Sequence, residues 1–117
     1  RLLSSGGYVY VSTPFMYPFH SSPYDFQRWT TEGLKELFRD FEIIETGVRS
    51  GPFSSLTVLL NHLFATIFSF GSVRLYSLLL NLVMIVTFPI KFLDVIFNYW
   101  PQADTMASVL YCVVQKK

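Results

Sequence analysis

The chain has 117 residues, enough for about one domain with a real core. Hydrophobic residues make up 51%, aromatic residues 18% and charged residues only 15%, which favours a buried or membrane-adjacent surface over a well-solvated free monomer. A net charge of +1 offers no basic field for nucleic acid, and a single cysteine, Cys112, excludes an intramolecular disulfide and a multi-cysteine metal site.

The opening RLLSSGG reads as the tail of a helix and a turn, with Gly6 or Gly7 able to take the left-handed conformation that ends helices. No charged stretch runs directly into an apolar one, so no signal peptide is predicted. A start on Arg1 in mid-element suggests the C-terminal portion of a longer protein. Tyr8 to Thr13 is mostly β-branched and aromatic without apolar/polar alternation, which predicts a central strand covered on both faces. Pro14 ends it, having no N–H for a ladder. Residues 14–29 form a loop with Pro14, Pro18 and Pro23 interleaved among His20, Asp25, Arg28 and several aromatic rings. Loops that follow parallel strands lie at the carboxyl edge of the sheet, where ligands of α/β proteins sit.

Thr30 or Thr31 then caps a helix, and Glu32 suits its positive end. Leu34, Leu37, Phe38 and Phe41 fall on one stripe, while Lys35, Glu36, Arg39 and Asp40 form a solvated face. Phe41 to Val48 is a second strand, so the order strand–helix–strand implies a parallel, right-handed crossover. From Phe53 to Phe70, and again from Leu75 to Ile90, there is no formal charge, and Asn61 and His62 are the main polar interruptions. Gly71, Ser72 and Arg74 break the two runs apart, and Pro89 and Lys91 end the second. Each run has 16 to 18 residues, at or below the lower edge of a membrane span. Phe92 to Trp100 continues apolar around Asp94, and Pro101 to Asp104 is a turn. Met106 to Val114 is a last strand, in which Cys112 reads as a buried thiol suited to a reducing compartment. That strand should pair with the earlier two, so the apolar pair leaves and returns on the same side. A hairpin packed on the sheet, one dipped into a single leaflet, and a two-pass hairpin all satisfy this.

The stretch GGYVYVSTPFMYPFHSSPYDFQRWTTEGLKELFRDFEIIETG resembles the C-terminal half of a class I S-adenosylmethionine-dependent methyltransferase of the type 11 group. The resemblance rests on the ordered set Leu3, Gly6, Gly7, Pro14, His20, Pro23, Asp25, Arg28, Thr30, Gly33 and Leu34. It covers residues 1–50 well and 105–117 loosely, where VLYCVVQKK is similar to that fold's final antiparallel strand. It implies an α/β fold: the C-terminal half of a Rossmann-like methyltransferase sheet, parallel strands plus that final antiparallel one. Residues 1–117 would be part of one methyltransferase domain, and 52–104 a hydrophobic helical insertion within it. The family's glycine-rich turn and acidic cofactor residues would lie upstream, in a missing N-terminal half. S-adenosyl-L-methionine would be bound mainly there, so no cofactor-binding residue is assigned, and no metal is expected.

Methyl transfer from a sulfonium is an in-line displacement, so the protein mainly positions an acceptor and at times takes its proton. His20 is the candidate base, with a loop-holding hydrogen bond as its plainer role. Asp25, Arg28, Tyr17 and Trp29 are candidate acceptor-binding residues. Arg28 can hold a carboxylate or phosphate by two parallel hydrogen bonds. Alternatively, Asp25 and Arg28 pair with each other and fix the loop onto the helix start. His62 reads as a polar residue in a packed helix. The expected activity is methyl transfer to a small-molecule or lipid-linked acceptor, in a cytoplasmic protein peripheral to a membrane if the hairpin meets one. The rival reading is a non-catalytic module for membrane association or homo-oligomerisation.

Overall fold

A computed structural model describes residues 3–19 and 24–117. Three strands, β1 (Tyr8–Pro14), β2 (Glu42–Ser50) and β3 (Val109–Gln115), form one sheet in the order β1-β3-β2. Helix α1 (Thr31–Leu37) joins β1 to β2. Helices α2 (Pro52–Phe68) and α3 (Val73–Thr87), a 3-10 segment (Phe88–Leu93), the short α4 (Asp94–Phe97) and a 3-10 turn (Ala103–Met106) fill the path from β2 to β3.

Alternation decides which face of the sheet is inside. Along β3, Leu110, Cys112 and Val114 are buried, and the residues between them are half-buried. Directly opposite stand Thr13, Val11 and Val9 on β1, and Val48, Thr46 and Ile43 on β2. Leu34 of α1 is fully buried against this face, and Phe15, Trp29, Phe38 and Phe41 pack around the cluster. Side chains of a strand alternate between faces, so Tyr8 and Tyr10 point the other way and stay exposed. Ile43 points inward and Ile44 is exposed by the same alternation, and the register shift between Ile43 and Glu45 sets Glu45 opposite Val113, on the outer face with Tyr111.

Several sequence expectations need correction. β1 and β2 run in the same direction but do not touch; both pair antiparallel with β3, so every ladder is antiparallel. The last strand therefore takes the central place that had been assigned to the first. β1 lies at an edge of this sheet, its outward tyrosines half-wet. Helix α1 is shorter than its apolar stripe: Phe38 caps its C-terminal end, Phe41 lies beyond it, and Leu37 is 51% exposed. Thr30 is the N-cap, its hydroxyl accepting from the Gly33 N–H at 3.0 Å.

Pro89 does not end the second apolar run. It stands at the start of the 3-10 segment, where a missing N–H costs little, and the chain stays helical to Phe97. The run Val73–Phe97 has 25 residues with a mean hydropathy of 2.0, and only 6% of its most apolar window is buried. Asp94, at the end of that run, folds back on the start of α2. Its carboxylate accepts the backbone N–H groups of Gly51, Phe53 and Ser54 at 3.1, 2.9 and 2.9 Å. Gly51, the N-cap, carries no side chain to do this. A Cβ there would lie 1.9 Å from Asn98 Oδ1 and 2.6 Å from Asp94 Oδ1, so any larger residue would displace the capping carboxylate.

Candidate functional site

The loop between β1 and α1 is organised by one guanidinium. Arg28 Nε donates to Asp25 Oδ1 at 3.2 Å, and one Nη2 N–H donates to Asp25 Oδ2. Nη1 donates to the carbonyls of Phe15 and Tyr17 at 3.3 and 2.7 Å, and Nη2 donates to that of Pro18 at 3.1 Å. A guanidinium has five N–H donors, and these contacts use all of them. Two oppositely charged groups are thus satisfied together, with the Asp25 side chain only 9% exposed. In this arrangement Arg28 has no N–H left for a carboxylate or phosphate of an acceptor. It acts as a clamp that ties residues 15–18 to residues 25–28, the two flanks of the loop. His20 lies between those flanks, outside the described residues.

Tyr17 enters this cluster through its carbonyl, and its side chain is half-buried. Trp29 packs against the core over Gly33, where an added Cβ would meet its ring at 3.3 Å. The structure therefore joins Asp25, Arg28 and Tyr17 in one cluster and turns Trp29 toward the sheet. Beside them is a cleft of about 180 Å³, lined by Phe15, Thr30, Glu32, Asp104, Thr105 and Leu110 among others. That is below the roughly 300 Å³ at which small-molecule sites begin. Its acidic rim joins the α1 start to the 3-10 turn before β3, a juxtaposition that no local pattern in the sequence announces.

Other reactive groups are spent on structure. Cys112 is fully buried in the core, and burial pushes its thiol pKa up. On the outer face of the sheet, Tyr111 stacks on Tyr10 with ring centroids 5.6 Å apart and donates to Glu45. That hydrogen bond, then burial and the Glu45 charge, push the phenol up to about 12. Gly47 makes room for it: a Cβ there would lie 2.8 Å from the Tyr111 ring. Among the described residues no group of His, Cys, Asp and Glu is placed to hold a metal ion.

The hairpin has an unusual polarity that the sequence did not reveal. The inward face of α2 carries Ser54, Ser55, Thr57, Val58, Asn61 and Ala65, all buried, and its C-cap Ser69 is buried too. Ser55 Oγ donates to Ser108 Oγ at 3.2 Å, Thr57 Oγ1 to the Phe53 carbonyl at 2.6 Å, and Asn61 Nδ2 to Thr87 Oγ1 at 2.8 Å. His62 Nδ1 lies 2.6 Å from the Tyr76 hydroxyl, a second link between α2 and α3. The outward face carries Leu56, Leu59, Leu60, Leu63 and Ile67, all exposed. Helical periodicity finds two faces, but it does not say which one turns inward. No protein-family model matches the chain, and neither a curated protein nor a solved structure matches it.

Proposed function

We propose that the chain is the acceptor-side half of an S-adenosylmethionine-dependent methyltransferase domain acting on a small-molecule or lipid-linked acceptor. The observation that carries this reading is the strand order. A closing antiparallel strand pairs with both of two codirectional strands that are joined by a helix. The clamped loop leaves the carboxyl end of β1, the edge at which α/β folds place their ligands. In this reading Asp25 and Arg28 give the loop its shape, Tyr17 and Trp29 support its wall, and His20 faces the acceptor as a base.

The described residues do not themselves fit the cofactor. Gly6 takes φ +78°, and its N–H donates to the Lys116 carbonyl at 2.8 Å; the Gly7 carbonyl accepts from the Lys116 N–H at 2.9 Å. Both glycines are tied to the end of β3 and form no cradle. In the proposed reading the cofactor is bound mainly by an N-terminal half of the domain. A second reading, a methyltransferase-like scaffold without catalysis, gains from the complete use of Arg28 inside the loop.

Calorimetry with S-adenosylmethionine tests the proposal, on this chain and on the protein extended upstream. Binding by the extended protein alone is the expected result, together with methyl transfer that falls about 100-fold or more in His20→Ala. Binding by neither overturns the cofactor assignment. Binding with unchanged turnover in His20→Ala removes the proposed base.

A further inference from the structure

We infer that the α2–α3 hairpin is a membrane-seating element that lies in the plane of one leaflet of a lipid bilayer and holds the sheet at headgroup level. This does not rest on the methyl-transfer reading. The first argument is the inverted polarity of α2. In water, leucines drive helix packing by leaving the solvent, so a surface helix turns its apolar stripe to the core. Here the inward face is small and polar apart from Val58, and the leucines are outside. That is the arrangement expected where the surroundings are as apolar as leucine, and where small residues and interhelical hydrogen bonds hold the helices together. Asn61 with Thr87, and His62 with Tyr76, are bonds of that kind.

The second argument separates lipid from a second copy of the chain. A two-fold contact covers one face. The exposed apolar surface here continues from α2 over Leu78, Leu82, Ile85 and Val86 of α3 to Val95 and Ile96 of α4. Helix α3 buries none of its residues. At the base stand Tyr99 and Trp100, 87% and 58% exposed, the residue types that collect at the membrane–water interface. At the tip, Phe70 is 88% exposed and held at φ 49°, a costly conformation for a ring-bearing residue. An open groove of about 390 Å³ between the helices, lined by Leu60, Phe64, Ile67, Phe68 and Val83 among others, can accept an acyl chain.

The third argument sets the depth. The run Val73–Phe97 is long and apolar enough to cross a membrane, but its hairpin partner α2 has 17 residues and is about 25 Å long, short of the ~30 Å hydrocarbon core that a two-pass hairpin must span. Arg74, Ser77 and Asn81 are all exposed and follow one another at helical spacing on α3, interleaved with the exposed Leu78 and Ile85. A crossing helix would place Asn81 near mid-bilayer, whereas a helix lying flat at the interface keeps all three within reach of the headgroups.

The test uses this chain and neutral phosphatidylcholine vesicles. Sedimentation is expected to carry the chain down with the vesicles, and high salt is expected to leave that unchanged, because seating is apolar. Leu63→Glu with Ile67→Glu alters only exposed positions; partitioning should fall more than about tenfold while circular dichroism stays the same. An environment-sensitive fluorophore should report an apolar setting on Leu63→Cys and a headgroup setting on Asn81→Cys. A chain that ignores vesicles and forms a stable dimer or a protein complex overturns the lipid assignment. A deep, apolar signal from Asn81→Cys overturns the one-leaflet geometry in favour of a crossing hairpin.

Discussion

At the scale of single residues, the largest effects belong to groups that a motif search would pass over. Asp94 is a lone acid in an aromatic run, yet it supplies the N-cap that Gly51 cannot. Asp94→Ala leaves three N–H groups at a buried helix start without their acceptor and should cost about 2–4 kcal/mol in denaturant unfolding. Gly51→Ala should be comparably damaging, since the new methyl would overlap Asn98 and Asp94. Equal stability of either variant with the parent would remove this account. Tyr111 offers a test by pH. Its pKa is raised from 10.0 to about 12, so the neutral phenol is favoured in the fold. The stabilisation is fully present below about pH 10 and is lost as pH rises through about 12. Ultraviolet titration of Glu45→Gln should show this late phenol ionising nearer its ordinary value.

At the scale of elements, the loop clamp separates a structural from a binding role for Arg28. Lysine keeps the charge but not the fork, so Arg28→Lys leaves some of the Phe15, Tyr17 and Pro18 carbonyls unpaired. The expected outcome is a loss of about 1–3 kcal/mol in stability, visible as a lower Tm. A changed acceptor affinity at constant Tm would instead place Arg28 in the binding site. Most elements are legible in the sequence. The Thr30 cap, the strand composition of YVYVST and FEIIETGV, and the two apolar runs each carry a local signal. What escapes is non-local. Carbonyls have no residue identity, so the clamp around Arg28 cannot be read from the chain. The pairing of β3 with both earlier strands is legible from the chain order and the resemblance, but strand composition alone does not choose a partner, so it predicts a central strand covered on both faces for β1, which stands at an edge of the sheet. Pro89 signals an ending by its missing N–H, but at the first turn of a 3-10 segment that N–H is not needed.

At the scale of the whole molecule, the radius of gyration is 17.0 Å, against roughly 13 Å for a compact domain of this length. The excess belongs to the hairpin, since the molecule extends 53 Å one way and only 19 Å another. Among the described residues, all sheet pairing runs through β3. Removal of residues 109–117 should therefore leave β1 and β2 without a partner and abolish a cooperative thermal transition by circular dichroism. A retained sharp transition would mean that the helices hold the fold by themselves.

The helical segment leaves the sheet after Ser50 and returns at Ser108, and the Ser108 N–H donates to the Ser50 carbonyl at 2.8 Å. Its two stalks are side by side, on neighbouring antiparallel strands. A tug on the hairpin thus pulls β2 and β3 in the same direction, not past each other. Their shared ladder feels little shear, and the load passes to the β1–β3 seam instead. The protein is built so that a drag on its apolar arm meets the sheet where two strands resist together.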